Sequence, residues 1–358
     1  MSLSVRRSWP SVPDTRQTLA QLLCDTIVTV DTRPFTARDI VAAGALSGRW
    51  HELERELARG LATVRQQRPT PDAVSRALRD FRYEHRLISA AEFVAWATHW
   101  RLESDDVREV LERRIVREEL GNLAGADAPA CDRDEMVATL AAEAICSGAL
   151  RDCAQWLVDR MLVAGDVDGE ASGLDATLVE HEHGLVAAAI LDEPDETRWR
   201  RLARLAAAAG AYERHVAATC ADDAVARRIG RHLVDWMRFE LVGLECRSAG
   251  AAAETVMLLT EDGLSVARVT ELTGVGPLYR QLRLDEAPEQ LRASLAGAST
   301  GDVLGPVAMD GAQWVWVVTA RQAPDASDPQ LVQRARELVL SESMERLRAG
   351  RVTWHGRH

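Results

Sequence analysis

STGDVLGPVAMDGAQWVWVVTAR, residues Ser299 to Arg321, decides the fold class. A turn at Ser299–Gly301 opens it, and Val303 to Val307 follows as a short strand interrupted by Gly305-Pro306. Asp310-Gly311 is a tight-turn signal between two apolar runs, the strongest short-range signature of a β-hairpin. Beyond it, Trp314, Trp316 and Val318 fall on one face of a strand by the two-residue period. A chain that is otherwise helical in pattern therefore ends in a β-containing region, and the expected class is α+β.

Outward from the hairpin, EAPEQLRASLAGAST (286–300) predicts a short helix begun near Pro288 and stopped by Gly297. SDPQLVQRARELVLSESMERLRAG (327–350) predicts a long helix, capped by Ser327 or Asp328 ahead of Pro329. Upstream, ETVMLLTEDGLSVARVTEL (254–272) reads as an apolar strand, an Asp262-Gly263 turn and a second strand, and TGVGPL (273–278) as a loop. VARRIGRHLVDWMRFELVGLEC (225–246) predicts one amphipathic helix burying Ile229, Leu233, Trp236 and Met237.

Residues 1–70 read as a proline-containing arm followed by weakly patterned helices. TPDAVSRALRDFRYEHRL then starts a helix at Thr70-Pro71, with Val74, Ala77, Leu78 and Phe81 as its apolar stripe. Ser89 and Glu92 form a capping box before Phe93, Trp96, Ala97 and Trp100, and Ser104-Asp105-Asp106 opens another helix. This pair has a helix–turn–helix shape, but acids at the start of the second helix repel phosphate, so a packed hairpin is expected. Loops are expected at 122–131 and 163–173, and a helix opens at Glu193-Pro194-Asp195. The expected organisation is a helical region over 1–245 with a sub-boundary near 122–133, a small domain over 250–325, and a terminal segment over 326–358 whose helix packs back on the helical region.

Across 358 residues, 43 basic side chains face 55 acidic ones, for a net charge of −12, and every basic residue is arginine. That balance argues against a nucleic-acid partner. The arginine runs RRIVREEL (113–120) and RWRRLAR (198–204) have two readings: solvated helix faces, or bidentate donors for an acidic leader peptide. No apolar run reaches membrane-spanning length and no secretory signal is evident, so a cytoplasmic protein is expected. Cys24, Cys131, Cys146, Cys153, Cys220 and Cys246 include no CxxC pair, and buried free thiols are expected. His181 and His183 stand two apart, a spacing that does not share a helix face, so no metal site is expected. No cofactor motif and no catalytic constellation stand out.

The order of elements around Gly301, Asp302, Val303, Gly305, Pro306, Asp310, Gly311 and Trp314 to Val318 resembles the C-terminal part of a parvulin-type (PpiC/SurA-like) peptidyl-prolyl isomerase. The layout as a whole is similar to peptide maturation proteins that join a helical N-terminal region to a degenerate PpiC-related C-terminus. The segments FRYEHRLISAAEFVAWATHWRLESDDV, LLTEDGLSVARV and LRLDEAPEQLRASLAGASTGDVLGPV carry that likeness. It implies an accessory or scaffold role in maturing a ribosomally synthesised, post-translationally modified peptide, with the precursor peptide or a modifying enzyme as partner. Active parvulins place one histidine on the first strand and one on the last. ETVMLL has none, and Gln313 or Trp314 stands where the second is expected. The helical insert that helps form the proline pocket is also expected to be mostly missing. The expected activity is therefore binding without catalysis, through Trp314, Trp316, Val318, Val303 and Met309, unless the two indoles are core. The alternatives are a divergent prolyl isomerase and a general cytoplasmic holdase.

Overall fold

The computed structural model describes residues 21–66, 68–120, 133–165 and 195–355. The loops expected at 122–131 and over most of 163–173, the pair His181/His183, the start at Glu193-Pro194 and Cys131 lie outside these residues. The chain divides into two compact units, one of residues 1–216 with 344–358, the other of residues 217–343. The fold is α+β, as expected.

Unit 1 begins with a hairpin, β1 (Thr26–Val30) and β2 (Arg33–Thr36), where the sequence reading expected only helices. The β-branched run Thr26-Ile27-Val28-Thr29-Val30 favours a strand. Asp31 turns the chain with φ +55°. The third strand comes from the far end of the chain: β7 (Val352–Trp354) pairs antiparallel with β1, giving the order β2-β1-β7. Arg351 fastens this pairing through two hydrogen bonds to Asp31, at 2.8 and 2.9 Å.

Six helices follow: α1 (Ala37–Leu46), α2 (Arg49–Gln66), α3 (Pro71–Glu84), α4 (Ala90–His99), α5 (Ser104–Leu120) and α6 (Arg133–Cys146). Then come α7 (Ala149–Ala164) and α8 (Asp195–Thr219). The caps read from the sequence are in place. Thr70 Oγ1 accepts from the Ala73 amide at 3.3 Å, and Ser89 and Glu92 close a reciprocal box at 2.8 and 3.1 Å. The stripe of α4 is core: Trp96, Ala97 and Trp100 are buried, and Phe81 meets Trp96 edge-on at 5.4 Å.

The arginine runs are split: Arg114 and Arg200 lie on exposed faces beside Glu118 and Glu196, while Arg113, Arg117 and Arg201 turn to buried acids. Glu143, fully buried, takes Arg113 at 3.0 Å and Arg117 at 3.2 Å, and Asp39 at the start of α1 receives Arg201. Cys146 and Cys153 are buried as expected, but Cys24 is exposed. Burial pushes the Cys153 thiol to about 12 and Cys146 above the ordinary thiol range, so both stay protonated near neutrality.

Unit 2 corrects the sequence reading of 225–283. The helix expected over 225–246 is two elements: α9 (Asp222–Arg231), then β3 (Arg238–Cys246). Leu233, placed on the buried stripe, is exposed, while Ile229, Trp236 and Met237 are buried as expected. β3 is the centre of the sheet and buried on both faces, so its sequence is a nearly continuous apolar run, which periodicity alone does not separate from a buried helix. The hairpin expected at 254–272 is instead a helical pair, α10 (Ala249–Thr260) and α11 (Val266–Thr273). The alanine run at 251–253 favours helix, and Ser248 and Ser265 cap the two helices on the amides of Ala251 and Arg268. Gly263 does turn the chain, with φ +63°, but between helices.

The segment expected to be a loop at 273–278 leads straight into β4 (Pro277–Arg283). A single helical turn (Leu284–Glu286) and α12 (Glu289–Gly297) follow, then β5 (Val303–Met309), β6 (Ala312–Gln322) and α13 (Pro329–Arg348). Asp310 and Gly311 both have positive φ, 52° and 79°, the mirror-image turn that matches strand twist. The four strands form one antiparallel sheet in the order β4-β3-β6-β5. Within unit 2, Leu331 and Ala335 of α13 are buried with Val225, Ile229 and Trp236.

Candidate functional site

In the sheet of unit 2, strands β3, β6 and β5 are packed on both faces, while β4 is exposed from Leu278 to Gln281. On one, Phe239 and Leu241 of β3, Trp316 and Val318 of β6 and Leu304, Val307 and Met309 of β5 form a cluster with Leu291 and Leu295 of α12. On the other, Cys246 and Val315 pack with Ala252 of α10, and Val303 borders them. The five residues expected to contact peptide are thereby placed. Trp316 is 1% exposed, Val318 and Met309 are buried, Trp314 is partly buried against the first cluster, and Val303 is partly buried on the opposite face. The question left open between core and contact is settled as core for Trp316.

Trp316 stacks on Trp314 with ring centroids 5.2 Å apart and planes 16° apart. Its ring lies against Gly243 of β3, where a Cβ would come within 2.5 Å of it, and the Arg280 guanidinium stands 5.9 Å from its centroid. The indole N–H groups of Trp314 and Trp316 are enclosed without an acceptor. Two stacked rings over a glycine fill the space at the junction of the first and last strands.

With β3, β6 and β5 packed in this way, the two edges of the sheet differ. β5 is broken between Leu304 and Val307 by a register shift, and Pro306 there has no N–H to donate. Bulges and prolines blunt an edge against further pairing. β4 pairs with β3 through seven residues in unbroken register, from Arg283 opposite Arg238 to Pro277 opposite Leu244. Its only proline is its first residue, and among the described residues no strand lies on its outer side. Tyr279 is 74% exposed and Leu278 37%. Arg280 between them and Gln281 is also exposed, and Gln281 bonds Glu240 at 3.2 Å. Met257 of α10 and Leu272 of α11 are further exposed apolar side chains of this unit. The sequence reading missed β4 altogether. The signal was there: PLYRQLR alternates about a tyrosine after a Gly-Val-Gly turn.

The first strand of this sheet is β3, not the segment 254–259, and this changes the comparison with parvulins. RFELVGLEC has no histidine either, and neither does β6. The stretch between the first and last strands, expected to be short of helices, holds α10 and α11 between β3 and β4. Among the described residues no group of three His, Cys, Asp or Glu side chains is placed to hold a metal ion. No described helix is long and apolar enough to cross a membrane.

No protein family and no curated protein matches the chain. A solved structure from a study of two structurally related SurA-like chaperones of Campylobacter jejuni, one described as a periplasmic protein, aligns over 92% of this chain and 99% of its own. The identity is 11% and the TM-score 0.17, a superposition that does not establish a shared fold.

Proposed function

We propose that the protein is a non-catalytic, peptide-holding accessory factor that adds an extended segment of its ligand as a fifth strand along β4. In this reading it acts in the cytoplasm on a ribosomally made precursor peptide, holding it for a modifying enzyme. The observation that carries the proposal is the contrast between the edges: β5 is blunted by Pro306 and a bulge, while β4 offers seven residues of regular backbone beside exposed Leu278 and Tyr279. Strand addition uses such an edge for affinity and alternate side chains for selectivity. Isomerase chemistry must lower a barrier of about 18–20 kcal/mol by binding the twisted amide. An arrangement with one imidazole on each of β3 and β6 has no side chain to use here. Free thiols at Cys24, Cys146, Cys153, Cys220 and Cys246 fit a reducing compartment.

The test is amide hydrogen exchange on the full chain with a 12-residue peptide selected from a displayed library. Strand addition slows exchange at alternate amides of residues 277–283, and Leu278→Lys with Tyr279→Lys weakens binding at least tenfold without altering the fold. Unchanged exchange in β4 on saturation refutes the proposal. Equal affinity for any unfolded chain would make the protein a general holdase, and acceleration of cis–trans exchange would make it an isomerase.

A further inference from the structure

Unit 1 contains a partly open cavity of about 50 Å³ lined by Ile27, His85, Trp96, Trp100, Ile145, Gly148, Leu150, Arg151 and Trp354. Trp96 and Trp100 are one helical turn apart on α4, Trp354 comes from β7, and His85 follows the end of α3. The aromatic part of the lining is therefore three indoles and an imidazole, and the aliphatic part Ile27, Ile145 and Leu150. Gly148 has φ +81°, and a Cβ there would meet nothing within 4 Å, so the backbone leaves space at this point.

Two features define what fits. The first is size. An apolar cavity of roughly 150 Å³ accepts benzene. A third of that volume is too small for any ring, but because the cavity is partly open it admits the branched end of an aliphatic side chain entering from outside. The second is charge. Arg151 is exposed and, among the described residues, makes neither an ion pair nor a hydrogen bond, whereas Arg113, Arg117, Arg201, Arg348 and Arg351 are all paired with acids. His85 adds no charge at neutral pH, because burial holds its pKa below the ordinary value. A cage of aromatic rings alone would suit a quaternary ammonium group. The guanidinium at this one repels a cation and favours a carboxylate.

We propose that this cavity binds an aliphatic side chain of a peptide whose neighbouring residue is acidic, the ring walls taking the side chain and Arg151 the carboxylate. The inference rests on the protein being a peptide binder but not on β4, since cavity and edge are separate sites with separate readouts.

The test is a titration of the ¹⁵N-labelled full chain with the blocked dipeptide acetyl-Leu-Glu-amide, following the indole N–H resonances of Trp96, Trp100 and Trp354, each assigned by a Trp→Phe substitution. Saturable shifts of these resonances are expected, weakened two- to fivefold for acetyl-Leu-Gln-amide or in Arg151→Gln, the range for an exposed ion pair. They should be absent with acetyl-Gly-Glu-amide and unchanged in Tyr279→Lys. Failure of these shifts while the library peptide still protects β4 overturns the cavity proposal alone. Equal shifts with the glycine dipeptide or in Arg151→Gln also overturn it. Isovalerate binding as tightly as the dipeptide would make the occupant a small free acid and overturn the peptide assignment.

Discussion

Substituting Gly243 by alanine tests the packing that closes the face of the unit 2 sheet. A Cβ at this position would come 2.5, 2.7 and 2.8 Å from three carbons of the Trp316 ring, all inside the 3.0 Å that real Cβ atoms keep. The ring cannot swing into solvent, because Trp316 is buried in the cluster with Leu291, Leu295 and Leu304 and stacked on Trp314. Overpacking of this kind costs roughly 1–3 kcal/mol. Removing a glycine from the unfolded chain returns about 0.4–1 kcal/mol. The net expectation is a loss of about 1–2 kcal/mol, which at a urea dependence of roughly 1–3 kcal/mol per molar lowers the midpoint by about 0.3–2 M. Because two compact units need not unfold together, circular dichroism should be paired with hydrogen exchange at residues 238–246 and 312–322. Trp316→Leu supplies the decisive comparison. It costs stability by itself, but in its background Gly243→Ala should cost nothing, and the two changes should couple strongly. A neutral Gly243→Ala, or the same penalty with leucine at 316, would refute the account of the ring against the glycine.

Two further outcomes follow from unit 1. Glu143→Gln leaves buried Arg113 with only the longer 4.0 Å pair to Glu109 and should destabilise by about 3 kcal/mol, as measured by thermal or urea unfolding, while Glu196→Gln, at the exposed pair with Arg200, should be indistinguishable from the parent. His85 titrates below its ordinary value mainly through burial, with Arg151 and Arg114 adding to the shift and Glu84 and the backbone of Cys146 opposing it. Its neutral form therefore contributes stability that is complete above about pH 6.5 and is lost as pH falls through the folded value. His85→Phe should flatten the fall in urea midpoint between pH 7 and 5.5, and an unchanged slope would assign that fall to other groups.

What the sequence made legible is local. Thr70-Pro71 and Ser89 with Glu92 announce helix starts because the groups that satisfy the first amides lie three residues away. Asp310-Gly311 announces a hairpin because both residues must adopt positive φ. Elements whose character depends on distant partners were misread. β3 looks helical until strands on both edges and packing on both faces account for its burial, and β1, beyond its local hairpin with β2, gains its second neighbour only from β7, more than 320 residues later. The apolar run at 255–259 is a strand by composition and a helix by virtue of the cap at Ser248 and the alanines before it. The candidate site suffered the same way. Tryptophans at 314 and 316 identify a face, but only the packing of α12 shows that the face is closed.

Packing of the faces of β3, β5 and β6 also constrains how selective a site at the β4 edge can be. A peptide added to β4 is held through main-chain hydrogen bonds, which do not distinguish sequences. Selectivity must come from alternate side chains that fall beside those of β4. On the Trp316 side these neighbours are Leu278, Arg280 and Leu282, and on the other side Tyr279 and Gln281, by the alternation that pairs Gly243 with Leu278 and Val242 with Tyr279. Arg280 makes no ion pair among the described residues, while Arg283 is held by Glu286 at 2.8 Å. One unpaired cation between two leucines favours a ligand with a single acidic residue flanked two positions away by apolar ones. It gives little reason to prefer any residue on the tyrosine side beyond an apolar or aromatic contact. An edge of this kind supplies affinity and modest selectivity, so a dedicated partner would need a second point of recognition.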